Sequence, residues 1–131
     1  MACHGARNDE CLSKGLELSL KVALSHDWLN GMRGGEKCLE VLCELYPESP
    51  IHTLFYEPEK VSKIIRSHPV LSSRLQAFPK IVSHYRYYLP FFPLAIEAFD
   101  LEGYDLVIST SHCVAKSIRK GCRAVHVCYC F

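Results

Sequence analysis

Two short stretches concentrate the side chains able to do chemistry. The first, HDWLNGMRGGEK at residues 26–37, carries His26, Asp27, Asn30, Arg33, the Gly34-Gly35 pair and Glu36. The second, TSHC at residues 110–113, carries Thr110, Ser111, His112 and Cys113. Each follows a short apolar run, VALS at 22–25 and DLVIS at 105–109. Apolar run, Gly-containing turn and amphipathic helix in succession build an anion-binding corner. Free N–H groups at the helix start point outward, and the helix dipole favours negative charge there. Gly34 and Gly35 would let backbone approach a diphosphate closely. Arg33 supports an anion beside them and Glu36 opposes one. His112 offers a ring that titrates near neutrality and can bond a hydroxyl or phosphate. For any single residue here the plain alternative is turn or cap chemistry. Their convergence on one expected crevice favours a site.

The elements that must position these residues follow from periodicity. Residues 22–25 read as a first strand. Cys38, Leu39, Val41, Leu42 and Leu45 form an apolar face at helical spacing, ended by Pro47. Residues 51–56 read as a second strand and 70–75 as a short third one. A short helix with Pro58 at its start lies between them. Residues 80–101 read as helical pieces broken by Pro90 and Pro93. Residues 105–109 form a buried strand, 112–120 a helix capped by Gly121, and 123–130 a last strand. The alternation implies an α/β fold: a Rossmann-like open, mostly parallel sheet with helices on both faces. In such sheets ligands bind beyond the carboxyl ends of the strands, where strand order reverses. The crevice is expected between the first strand and the DLVIS strand. Residues 1–20 read as a disordered leader and 21–131 as the domain. The last strand has no crossover after it, so the domain reads as cut off before completion.

Composition narrows the function classes. The chain has 131 residues and a net charge of +1, which writes in no pull toward nucleic acid. No apolar run is long enough for a membrane-spanning helix. Of the eight cysteines none forms a CxxC pair, and no signal peptide precedes them. Reduced cytosolic thiols and no bound metal are therefore expected. The dinucleotide fingerprint GxGxxG and the hydrolase elbow GxSxG are both missing. Tyr85, Tyr87, Tyr88, Phe91 and Phe92 cluster with Lys80, His84 and Arg86. Core packing around the prolines is the favoured reading of this cluster, and a lipid-interface or acceptor surface the alternative.

Three segments taken together resemble family 4 glycosyltransferases of the two-domain GT-B architecture: KVALSHDWLNGMRGGEK, YRYYLPFFPLAIEAFDLEGYDLVISTSHCVAKSI and HVCYC. The likeness is nearest to bacterial mannosyltransferase-like members acting in polysaccharide assembly. It implies an N-terminal, acceptor-side domain of a retaining enzyme that moves a hexose, with mannose from GDP-mannose as the expectation. It implies no cofactor beyond the nucleotide-sugar donor and no metal. Gly34, Gly35 and Arg33 would border the donor diphosphate, His112 would act on the reacting sugar, and His26, Asp27, Asn30 and Ser111 would face the acceptor. The acceptor would be a glycan or a lipid-linked sugar. The enzyme would be cytoplasmic, with peripheral contact to the inner membrane face through residues 85–92. The donor would be held mainly by a second domain that this chain lacks. In the family a histidine follows the CYC segment; here Phe131 stands in its place. A non-catalytic Rossmann-like binding module is the other reading.

Overall fold

A computed structural model describes residues 20–121 and 123–131. The leader expected over residues 1–20 falls almost wholly outside these. Five strands form one parallel sheet: β1 (Val22–His26), β2 (Ile51–Thr53), β3 (Val70–Ser72), β4 (Leu106–Ser111) and β5 (Val125–Cys130). Their order across the sheet is β3-β2-β1-β4-β5. The chain is a Rossmann-like α/β fold. Strand order reverses between β1 and β4, which pair in register from Val22 with Leu106 to His26 with Thr110. The expected adjacency of the two apolar runs is therefore present.

The local sequence explains why β1 and β4 are central. Every residue of β1 is buried, and so are five of the six in β4. A strand covered on both faces needs continuous apolar or small side chains, which VALS and LVIS provide. Two cores result, one on each face. On one face, helix α1 (Gly34–Leu45) lays Leu39 and Cys43 against Leu24, Leu29, Ile51 and Ile108. Ile65, from the single-turn helix α2 (Lys63–Arg66), joins them. On the other face, Trp28, Phe55, Phe92 and Ile96 pack with Ala23 and Val107. Phe92 and Ile96 come from helix α4 (Phe92–Glu97). Before it run the single-turn helix α3 (Ile81–His84) and a 3-10 stretch over Tyr85–Phe91 that contains Pro90. Lys80 opens α3 from a left-handed backbone, φ 54°.

The aromatic cluster divides. Tyr85, Tyr88 and Phe92 turn inward, the core reading, whereas Tyr87 and Phe91 lie exposed. Trp28 is the hub, with its ring centroid 6.0 Å from Phe55, 5.1 Å from Tyr85 and 5.9 Å from Phe92.

Three expectations need correction. The strand expected over residues 51–56 ends at Thr53, although Leu29 and Tyr56 still form an isolated parallel bridge. Beyond Ser72 the third strand gives way to a 3-10 turn, Arg74–Ala77, started by Ser73 Oγ accepting from the Leu75 N–H. Residues 112–120 form no α-helix; only a 3-10 turn, Ala115–Ser117, appears there. Gly121 accordingly caps no helix. It lies against Glu102 instead, whose carboxylate would sit 2.9 Å from an added Cβ.

His52 in β2 is buried, with its Nδ1 unpartnered among the described residues and its ring edge-on to Phe99 at 5.0 Å. Burial lowers its pKa from 6.5, against a smaller raising effect from the Leu24 backbone. The unfolded chain therefore binds the proton more readily than the folded one. This contribution to stability is complete above about pH 6.5 and is lost as pH falls below it, by up to about 1.4 kcal/mol per pH unit. Urea titrations between pH 7 and pH 5 should show that loss, and His52→Gln should reduce it, leaving the smaller part due to His126, whose pKa burial and then Lys120 also lower. An unchanged slope in His52→Gln would show that His52 is not the cause.

Candidate functional site

At the carboxyl ends of β1 and β4 two buried networks meet. The first is built on Asp27, the residue after β1, which is fully buried. Its Oδ2 accepts from the N–H groups of His112 and Cys113 at 2.8 and 2.9 Å. Its Oδ1 accepts from those of Val114 and Ala115 at 2.8 and 2.7 Å. Ser111 Oγ also donates to Oδ1, at 3.2 Å. Four successive backbone N–H groups thus wrap one carboxylate. Such a concavity is an anion-binding nest, and here the chain's own side chain fills it.

The second network runs sideways through His26, which is also buried. Its Nδ1 lies 2.7 Å from Thr110 Oγ1 on β4, and its Nε2 lies 3.9 Å from Glu36 Oε1 in the first turn of α1. Glu36 in turn accepts from the Arg33 N–H through Oε2 at 3.2 Å, one half of a capping box. Burial tends to raise the Glu36 pKa. The adjacent His26 imidazole and the N–H groups of Glu36 and Arg33 outweigh it and hold the carboxyl below its usual range. A second carboxylate therefore sits at the helix start where an anionic ligand was expected.

Around these networks lies the accessible part of the crevice. Arg33 and Gly34 are exposed at the start of α1, and the His112 ring is about half exposed. The ring stands edge-on to Trp28, centroids 5.1 Å apart, with Nδ1 3.4 Å from Asp27 Oδ2. Phe131 spans the gap. Its ring centroid is 6.3 Å from that of His112, and a Cβ added at Gly35 would lie 3.3 Å from its Cε2. The same Cβ would lie 3.2 Å from His26 Cε1, so Gly35 is the position of close approach. Gly34 is not; nothing lies within 4 Å of a Cβ there.

The structure thus brings Arg33, Gly34, Gly35 and His112 to one sheet edge, with His26, Asp27 and Ser111 beneath them. The expectation that these last three face an acceptor is corrected. They are buried, His26 bonded to Thr110 and Asp27 to Ser111 and the backbone of residues 112–115. Asn30 stays in the loop after β1, half-buried, and nothing among the described residues donates to its Oδ1. Glu36 and Phe131 are the members that sequence reasoning gave no constructive part. The N-cap-to-N3 spacing from Arg33 to Glu36 was the available signal for Glu36. An open hollow of about 510 Å3 lies elsewhere, at the amino ends of the strands beside Lys21, Pro50 and Tyr104, and holds none of these residues. No helix among the described residues is long and apolar enough to cross a membrane. No protein-family model, curated protein or solved structure matches the chain.

Three substitutions test this geometry. Asp27→Asn keeps the shape but sets an amide N–H2 against N–H donors. It should cost about 3 kcal/mol or more, since bonds to a charged group contribute roughly 1.5–3 kcal/mol each. In thermal melting that is a fall of about 10 °C. Gly35→Ala should destabilise by roughly 1–2 kcal/mol through crowding of His26 and Phe131. Gly34→Ala should be neutral or slightly stabilising. Equal effects at the two glycines would refute the packing described.

Proposed function

We propose that the chain is the acceptor-side part of a retaining glycosyltransferase, moving a hexose from a nucleotide-sugar to a glycan or lipid-linked acceptor. The observation that supports this best is the juxtaposition at the switch point. The glycine-rich start of α1 and the half-exposed His112 ring border one crevice, joined through the Phe131 contacts. The sequence resemblance supplies the chemistry. Gly34, Gly35 and Arg33 border the donor diphosphate, and His112 meets the reacting sugar. Transfer requires a stabilised leaving diphosphate and an oriented acceptor hydroxyl. Free N–H groups of α1 and the Arg33 guanidinium supply part of the first, with GDP-mannose the donor to try. A separate donor-side domain supplies the rest. The exposed Tyr87, Phe91 and Leu94 fit a peripheral contact with a lipid-linked acceptor's membrane.

One observation favours the second reading, a non-catalytic binding module. Asp27 fills the nest at residues 112–115, and Glu36 places negative charge at the helix start. Both reduce the attraction of the crevice for a diphosphate.

A single titration separates the readings. GDP-mannose and GDP are added to the isotope-labelled chain, and backbone amide shifts are followed. The glycosyltransferase reading expects weak, saturable shifts centred on Gly34, Gly35 and His112, reduced several-fold in affinity by Arg33→Ala. It also expects negligible turnover until a donor-side domain is supplied. Shifts scattered over the surface, or none at millimolar ligand, would reject it, and saturable shifts with no turnover after a donor-side domain is supplied would favour the binding module.

A further inference from the structure

We propose that Cys128 and Cys130 form a surface dithiol that exchanges with small-molecule disulfides and closes reversibly into an intrastrand bridge. The two residues alternate with Tyr129 on β5, so both project from one face of the strand. Their sulfurs are 3.2 Å apart and hydrogen-bonded. Cys130 is exposed and Cys128 half-buried, on a strand that pairs only with β4 among the described residues. The pair is therefore preassembled and open to a reagent.

Among the described residues no other two thiols are hydrogen-bonded to each other. Cys43 is buried under α1, and burial followed by the charges of Glu40 and Glu44 pushes its pKa up to about 12. Cys113 is half-buried beside Asp27; burial and then that carboxylate raise its pKa, with Lys116 opposing. Cys43 is therefore a poor nucleophile at neutral pH. Cys38 lies half-buried on α1. No group of three or more potential metal ligands occurs among the described residues. A closed zinc site needs four ligands, so the pair is suited to dithiol chemistry.

The step balances with a disulfide of the glutathione type as oxidant. The Cys130 thiolate attacks one sulfur of the donor and releases the first thiolate. The Cys128 thiolate then attacks the Cys130 sulfur and releases the second. Two protons pass to the released thiolates. The protein loses two S–H bonds and gains one S–S bond, and the donor is reduced to two thiols. The hydrogen bond with Cys128 raises the Cys130 pKa, so exchange should quicken with rising pH. Alternate residues of a strand place their Cα atoms about 6.6 Å apart, near the upper limit for a disulfide. Closure must pucker the end of β5, and a strained bridge is readily reduced. The next residue is Phe131, held to β4 by its N–H bond to Ser111 O at 3.0 Å and packed on Gly35 and His112. Closing the bridge therefore shifts that ring.

The test uses the full chain, reduced and then equilibrated with mixtures of reduced and oxidised glutathione. Remaining thiols are alkylated and peptides are mapped by mass. The expected product is a loss of two hydrogens confined to the Cys128–Cys130 peptide, reversed by excess reduced glutathione. Cys128→Ser and Cys130→Ser should each stop at one glutathione adduct on the remaining cysteine, while melting within about 2 °C of the reduced wild type. Phenylarsine oxide should bind one per chain, and at least tenfold more weakly to either variant. Oxidation should shift the Gly35 amide and His112 ring signals in the wild type only. Bridging first at Cys38 or Cys113, a bridge between two chains, or two stable glutathione adducts on one chain would overturn the proposal.

Discussion

The arrangement at the crevice depends on one buried carboxylate. Asp27 leaves the end of β1 and gathers a hydroxyl from Ser111, the last residue of β4, and four consecutive N–H groups from the chain after it. Both oxygens are used, so burial leaves no unmet acceptor. The contact joins segments more than eighty residues apart in the chain and carries the attachment past Ser111, where β4 ends. It fixes the backbone from which His112 projects. His26 adds a lateral tie to Thr110 in the adjoining strand, and β1 and β4 therefore end as a unit.

That carboxylate also explains the misread segment. Residues 112–120 carry helix-compatible side chains, and apolar spacing alone suggests a helix. A helix starting at His112 would aim its first N–H groups along its axis, with a dipole free for a ligand. Here those groups curl round Asp27 instead, and only the turn Ala115–Ser117 remains helical. A partner more than eighty positions away decided the local conformation, which no window of neighbouring residues contains. The continuous apolar runs of β1 and β4 were legible for the opposite reason. Burial on both faces leaves its mark within a single segment. The helix at Gly34–Leu45 was legible likewise, through its apolar stripe and the proline beyond it.

The site was legible in position more than in role. Topology alone put residues 26–35 and 110–113 on one sheet edge, and the structure does so too. Which of them are open to a ligand depends on burial, and residue type is silent on that. His26, Asp27 and Ser111 are polar residues at strand ends, the usual mark of a binding loop, yet they lie beneath the surface holding it. Gly34 and Gly35 look equivalent in sequence. Only the second faces other side chains, because successive helix residues point about 100° apart.

β5 carries the same lesson to the edge of the sheet. Its alternation puts Val125, Val127, Tyr129 and Phe131 on the face of α1, where all four are exposed. His126, Cys128 and Cys130 take the opposite face, beside the Ser109 and Ser111 of β4. One strand thus presents an aromatic end to the crevice and a pair of thiols behind it. Because the backbone between Cys130 and Phe131 is shared, a change in the bonding of the sulfurs cannot leave the ring's seat on Gly35 untouched. Strand period sets the two on opposite faces, and their adjacency along the chain couples them.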